Sequence, residues 1–169
     1  MFTIEFDKTD MKKYIKSVEN VKKTIEKEEK ELPKSCAKEL ANAILENISN
    51  QAFAMAPYNQ RYAQWKQDRV GHLKYWLLDG DLYGSIKAFK YEGFWFAGIQ
   101  PGIFDKGGKS WHNTGGRPME IVKYARWLEK GRKGQPARPL FAPTTENYSK
   151  AGFIKQHEKS AKTIESKWR

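Results

Sequence analysis

Ser85-Ile86-Lys87-Ala88-Phe89-Lys90-Tyr91-Glu92-Gly93-Phe94-Trp95-Phe96-Ala97-Gly98-Ile99-Gln100 is the stretch that separates an all-helical reading from a mixed one. Its aromatic and β-branched residues suit a pleated surface. Two such runs, 85–91 and 94–100, flank Glu92-Gly93, a dipeptide fit for a tight turn, and this predicts a β-hairpin. Upstream, residues 57–80 mix Tyr58, Tyr62, Trp65, Tyr75 and Trp76 with basic and amide side chains, and read as a long loop with at most one helical turn.

Further toward the N-terminus the period changes from two to about 3.6. Ala37, Leu40, Ala41, Ile44, Leu45, Ile48, Ala52 and Met55 form one stripe, which predicts a helix stopped at Pro57. Met11, Tyr14, Ile15, Val18, Val21 and Ile25 form another, with Asp10 as its cap, predicting a helix to about Lys30 that Pro33 ends or kinks. Phe2, Ile4 and Phe6 alternate with smaller or charged neighbours, as in a short strand. Downstream, the glycines of 101–117 predict a second loop, and Pro118 is placed to open a short helix that Gly131 ends. An extended stretch, 132–143, then leads to a last helix over 144–166.

The expected fold is therefore α+β. A small antiparallel sheet, built from the N-terminal strand, the hairpin and the 136–141 segment, packs against long amphipathic helices with long loops between them. The organisation is a single domain over 1–169: strand and helices in 1–56, an insertion loop at 57–80, the hairpin unit at 83–100, a loop at 101–117, and the short helix, extended segment and C-terminal helix in 118–169. A chain of 169 residues is long enough to build one core without disulfides.

Composition narrows the function classes. The net charge is +11, and its distribution is uneven: residues 1–56 carry 10 basic and 10 acidic groups, residues 57–116 carry 8 and 5, and residues 117–169 carry 13 and 5. The excess belongs to the last third. No apolar run approaches the roughly 20 residues needed to cross a bilayer, and no signal pattern opens the chain, so an intracellular location without a membrane partner is expected. Cys36 stands alone, which excludes an internal disulfide framework and suits a small apolar filler.

Catalytic patterns are missing. His72, His112 and His157 lie in separate regions, so no metal set arises from local spacing, and no cofactor is expected. Gly107-Gly108-Lys109-Ser110 resembles the end of a phosphate-binding loop, but the earlier glycine is replaced by Ile103 and no buried strand precedes it. Asp79 and Asp81 bracket Gly80 as a turn, while Glu120 and Glu129 lie among basic residues, Glu129 in a position to pair with one. The chain is read as a non-enzyme. The alternative is a basic nucleic-acid-binding protein, because Lys123, Arg126, Lys130, Arg132, Lys133 and Arg138 cluster around Trp127. No reading helix or RNA-binding signature accompanies them.

Three blocks in order carry more information than any single residue. They are Leu77-Leu78-Asp79-Gly80-Asp81-Leu82-Tyr83-Gly84-Ser85-Ile86, then Tyr124-Ala125-Arg126-Trp127-Leu128-Glu129-Lys130-Gly131, then Gln135-Pro136-Ala137-Arg138-Pro139-Leu140-Phe141-Ala142-Pro143. Together they resemble the minor tail-component and tail-completion family of tailed bacteriophages over roughly residues 35–160. The resemblance implies a structural virion protein of the neck, assembled in the host cytoplasm, that joins the head connector to the tail tube. It implies self-association into a ring, expected to be a hexamer. It also implies contacts with a connector or stopper protein and with a tail terminator or tail tube protein. Genomic DNA in the channel is a further candidate contact for the basic third. The candidate structural and interface residues are Asp79, Gly80, Leu82, Tyr124, Trp127, Glu129, Arg138, Pro139 and Phe141. Among them Arg138, set between two prolines, is expected to form an ion pair or carbonyl contacts near Glu129, since its planar fork gives several directed hydrogen bonds. Tyr124, Leu128, Leu140 and Phe141 also fit ordinary core packing.

Overall fold

The computed structural model describes residues 7–77, 80–105 and 118–168. The elements are α1 (Lys8–Asn50), α2 (Gln60–Val70), α3 (Asp81–Ser85), β1 (Ile86–Tyr91), β2 (Phe94–Ile99), α4 (Ile121–Lys130) and α5 (Phe141–Glu165). Two antiparallel strands pack on a long helix, an α+β fold. The expected N-terminal strand at 1–6 and most of the 101–117 loop lie outside the described residues.

Where two helices separated at Pro33 were expected, α1 runs unbroken for 43 residues. Asp7, not Asp10, is the cap: its carboxylate accepts from the Thr9 amide at 2.8 Å, while Asp10 pairs with Lys13 in the first turn. An interior proline removes one hydrogen bond and costs about 3 kcal/mol, so something must hold the two halves in line. α5 does so. It runs beside α1, with Ser160 donating to Glu28 at 2.8 Å on one side of Pro33 and Ser35 donating to Gln156 at 3.0 Å on the other. Pro33 itself is exposed. The helix ends at Asn50, seven residues before Pro57. Gln51 takes the left-handed conformation at φ 50°, and its side-chain amide turns to the Tyr75 backbone, accepting from N at 2.7 Å and donating to O at 3.3 Å.

The 57–80 stretch is not a long loop. Asn59 Oδ1 accepts from the Tyr62 amide at 2.9 Å and Gly71 takes φ 74°, a cap at each end of the eleven-residue α2. The helix carries no apolar stripe, because its one fully buried side chain is Lys66.

The hairpin forms as its sequence predicts. Glu92 and Gly93 both have positive φ, 47° and 88°, the type I′ turn whose twist matches the flanking strands. Ile86 pairs with Ile99 and Tyr91 with Phe94. Among the described residues the sheet has these two strands alone. The 136–141 segment, expected as a third, turns its amides elsewhere: the Arg138 amide donates to the Leu128 carbonyl at 2.7 Å, and those of Leu140 and Phe141 donate to the Glu129 carboxylate.

That carboxylate also explains why α5 begins at Phe141, earlier than expected. α4 likewise opens at Ile121 and not at Pro118, because the preceding residues are held in an isolated bridge, Phe104 to Glu120, with Met119 donating to Asp105 Oδ1 at 2.9 Å. The core gathers Ile44 and Ile48 of α1, Trp76, Leu82, Ile86, Ile121, Ala125 and Leu140. In contrast, the first stripe of α1 stays uncovered: Met11, Tyr14, Ile15, Val18 and Ile25 are exposed. No helix among the described residues is long and apolar enough to cross a membrane.

Candidate functional site

The second and third sequence blocks meet at one junction. α4 ends at Gly131 with φ 73°, and a Cβ there would lie 2.7 Å from the Ala137 amide nitrogen and 2.9 Å from the Gln135 carbonyl oxygen. Only glycine lets the returning chain pass so close. Glu129, the penultimate residue of α4, then spans the gap to α5: Oε2 accepts from Leu140 N at 2.8 Å and Phe141 N at 3.1 Å, and Oε1 accepts from Ala142 N at 2.9 Å. The basic partner expected for Glu129 is thus replaced by three backbone amides. A carboxylate suits that place, since the first N–H groups of a helix lack internal partners and carry partial positive charge.

Arg138 makes the expected carbonyl contacts. It is 4 % exposed; Nε donates to the Ala56 carbonyl at 2.9 Å, Nη2 to Pro57 at 3.0 Å and Nη1 to Pro136 at 3.4 Å. Its guanidinium lies 4.5 Å from the Tyr58 ring centroid and 5.6 Å from that of Tyr75. Its own carbonyl accepts from Trp76 Nε1 at 2.9 Å. Arg138, through its side chain and its carbonyl, therefore ties together residues 56–58, 75–76 and 136–138.

Lys66 lies on the same tyrosine, its Nζ 4.8 Å from the Tyr58 centroid. It is 1 % exposed, donating to the Tyr58 hydroxyl at 3.2 Å and to the Lys74 carbonyl. Burial, and then the Arg138 charge, lower its pKa from 10.5 to about 8. Burial also pushes the Tyr58 hydroxyl well above its usual range, with Tyr62 adding to the effect. A cavity of about 300 Å³ opens beside this pair, lined by Tyr58, Tyr62, Tyr124, Gln135, Pro136 and Arg138. Nothing in the sequence marked Lys66, although Asn59 and Gly71 at helix-end spacing were the available signal for α2.

The other candidate residues divide by role. Leu82 is core, and Tyr124 packs partly against it. Phe141 meets Trp76 edge-on at 5.4 Å. Gly80 caps α3 with φ 85°. Pro139 is exposed beside buried Leu140, and Trp127 carries the Arg132 guanidinium 4.5 Å from its ring. Asp79 lies outside the described residues. Of the six cations grouped in the sequence, Arg138 is internal, while Lys123, Arg126, Lys130, Arg132 and Lys133 are at least partly solvent-facing. Burial raises the Cys36 pKa, away from thiolate reactivity. Among the described residues no three His, Cys, Asp or Glu side chains could hold one metal ion.

The groups of this junction organise backbone, the Glu129 carboxylate accepting from three amides and the Arg138 guanidinium donating to three carbonyls. No family model matches the chain, and no curated protein and no solved structure matches it either.

Proposed function

We propose that this chain is a structural neck protein of a tailed-phage virion, a tail-completion protein that joins the head connector to the tail tube as a ring. The observation that carries the reading is the convergence of the resembling blocks on the Glu129 and Arg138 junction, where the segments 124–131 and 135–143 form one hydrogen-bonded unit. Two further features support an assembly role: uncovered apolar faces on α1 and on the hairpin, and a basic C-terminal third available to acidic neighbours or DNA. Large exposed apolar patches mark interaction surfaces.

The test is joining in vitro. Purified tails and DNA-filled heads from a phage deleted for this gene should combine into infectious particles when the protein is added, and fail to do so without it. Joining that is indifferent to the protein would end the reading. The nucleic-acid alternative has a separate signature, since binding through phosphates weakens steeply with salt. A DNA shift with that salt dependence, in the absence of any effect on joining, would favour it.

A further inference from the structure

Lys66 and Arg138 are two buried cations without an acid. Their charges lie beside one ring: the Lys66 Nζ is 4.8 Å and the Arg138 guanidinium carbon 4.5 Å from the Tyr58 centroid. Among the described residues the ion pairs join Lys13 to Asp10, Lys34 to Glu31, Lys123 to Glu120 and Lys150 to Glu146, and neither buried cation takes part. Both donate to neutral oxygens alone, carbonyls and the Tyr58 hydroxyl. A buried charge without a counter-ion is costly. A second charge of the same sign adds to that cost, and Arg138 acts on Lys66 in this way.

The cavity of about 300 Å³ opens beside this pair, and its lining holds no carboxylate. That volume lies at the small end of the range for ligand sites. Arg138 is one wall. A guanidinium has five N–H groups; the carbonyls of Ala56, Pro57 and Pro136 take one each, which leaves two. The rings of Tyr62 and Tyr124 form further walls, and Tyr62 is backed by Trp65 with centroids 5.4 Å apart. Asn59 and Gln135 add side-chain amides whose oxygens are engaged: Asn59 Oδ1 accepts from the Tyr62 amide at 2.9 Å and Gln135 Oε1 from Arg132 Nε at 3.0 Å. The lining thus combines positive charge, N–H donors and aromatic rings.

We infer that this cavity binds a phosphate monoester carried on a flat ring, the chemistry of a mononucleotide.

The two positive charges, one from each cation, match a phosphate dianion, whereas a carboxylate leaves one of them uncompensated. Arginine N–H groups suit phosphate oxygens in number and geometry. Tyrosine faces accept any base by stacking, and amide N–H groups suit the acceptors on a base edge. Fastening the chain explains the carbonyl contacts of Arg138; it does not explain why a second cation is buried beside the first, next to an aromatic cavity. The site lies within one chain and needs nothing from the proposed ring, so it is tested apart from the neck reading.

The experiment is isothermal titration of the whole chain with adenosine monophosphate, uridine monophosphate, adenosine and inorganic phosphate at pH 7. Both mononucleotides should bind about tenfold or more tighter than adenosine or phosphate alone, because stacking and charge act together. Lys66→Met removes one charge and keeps the packing, and should weaken nucleotide binding by about tenfold while the fold gains stability; a merely structural lysine would leave the affinity alone. Tyr62→Leu should erase the advantage of nucleotide over phosphate. Lys155→Gln, at an exposed position of α5, should change nothing. At pH 8, near the Lys66 pKa, binding to the wild type should take up protons, read as heats that differ between buffers, and binding to Lys66→Met should take up none. The groups facing Lys66 do not interfere, since arginine stays charged there and burial holds the Tyr58 proton. A wild type that binds neither mononucleotide at millimolar concentration overturns the inference. So does phosphate that binds as tightly as the nucleotides, or an affinity unchanged in Lys66→Met. A loss in Lys155→Gln as large as in Lys66→Met overturns it too, because overall positive charge would then account for the binding.

Discussion

Lys66 is protonated in the unfolded chain up to its ordinary pKa of 10.5, but folding lowers that value to about 8. Below pH 8 both states hold the proton and the fold bears the full cost of burying it; between about pH 8 and 10.5 the unfolded chain binds more protons, so stability rises with pH. Lys66→Met should flatten this rise relative to the wild type and, at pH 7, gain roughly 1–2 kcal/mol, as buried charges replaced by apolar volume often do. Urea denaturation at a series of pH values reads both effects, and an unchanged slope would place the ammonium in solvent. Gly152 gives a prediction of opposite sign to helix propensity. Alanine is ordinarily better than glycine inside a helix by about 1 kcal/mol, but here the new Cβ would crowd the Tyr148 ring, too close to two of its carbons. Gly152→Ala should therefore lower stability by about 1–3 kcal/mol, the range for overpacking, with a matching fall in Tm. The two buried cations also show what a sequence discloses at this scale. Arg138 sits between Pro136 and Pro139 in an extended segment, where a planar donor facing carbonyls is a natural expectation. Lys66 sits among polar neighbours, Gln64, Gln67 and Asp68, where lysine ordinarily means solvent. Its burial follows from Tyr58 and Arg138, residues brought to it by the tertiary fold.

At the scale of elements, helix ends and helix continuity were legible to different degrees. Alternation and a turn dipeptide suffice for the hairpin, since both are local. α2 was hidden because its one fully buried side chain is a lysine, so no apolar period exists to be found; its caps at Asn59 and Gly71 were the only local trace. Pro33 misled in the other direction, because the contacts that flank it along the continuous α1 come from α5, more than a hundred residues away in sequence. An exposed interior proline that breaks no packing should be improvable. Pro33→Ala is expected to raise stability by about 1–3 kcal/mol, since it restores a hydrogen bond and removes a ring clash. A neutral result in thermal unfolding would mean that α1 bends or breaks there. Glu129 is the converse case, a single acid on which a helix start depends. Glu129→Ala leaves the part-buried Leu140 and Phe141 amides and the exposed Ala142 amide without their acceptor and should cost about 2–3 kcal/mol, mostly from the first two. Glu129→Gln, which keeps one oxygen and loses the charge, should cost less. Hydrogen exchange at these three amides would report the change directly.

At the scale of the whole molecule, charge and apolar surface are partitioned. The basic excess lies after residue 117, the balanced charges lie on α1, and the two uncovered apolar faces occupy the hairpin and the far end of α1. The fold class was legible because it needs only the periods of its elements. The third strand was not, because the 136–141 amides had a nearer acceptor in Glu129, a preference that no strand propensity encodes. Nor was the open stripe of α1, since an amphipathic period says that a face is apolar and leaves open what covers it. A fastened interior with uncovered apolar faces at its margins is what the proposed assembly role would use. The most direct measurement of that account is the mass of the purified protein alone and after mixing with tails or DNA-filled heads. The account predicts a multi-chain species that sediments with one of the two particles. A persistent monomer that binds neither would contradict it.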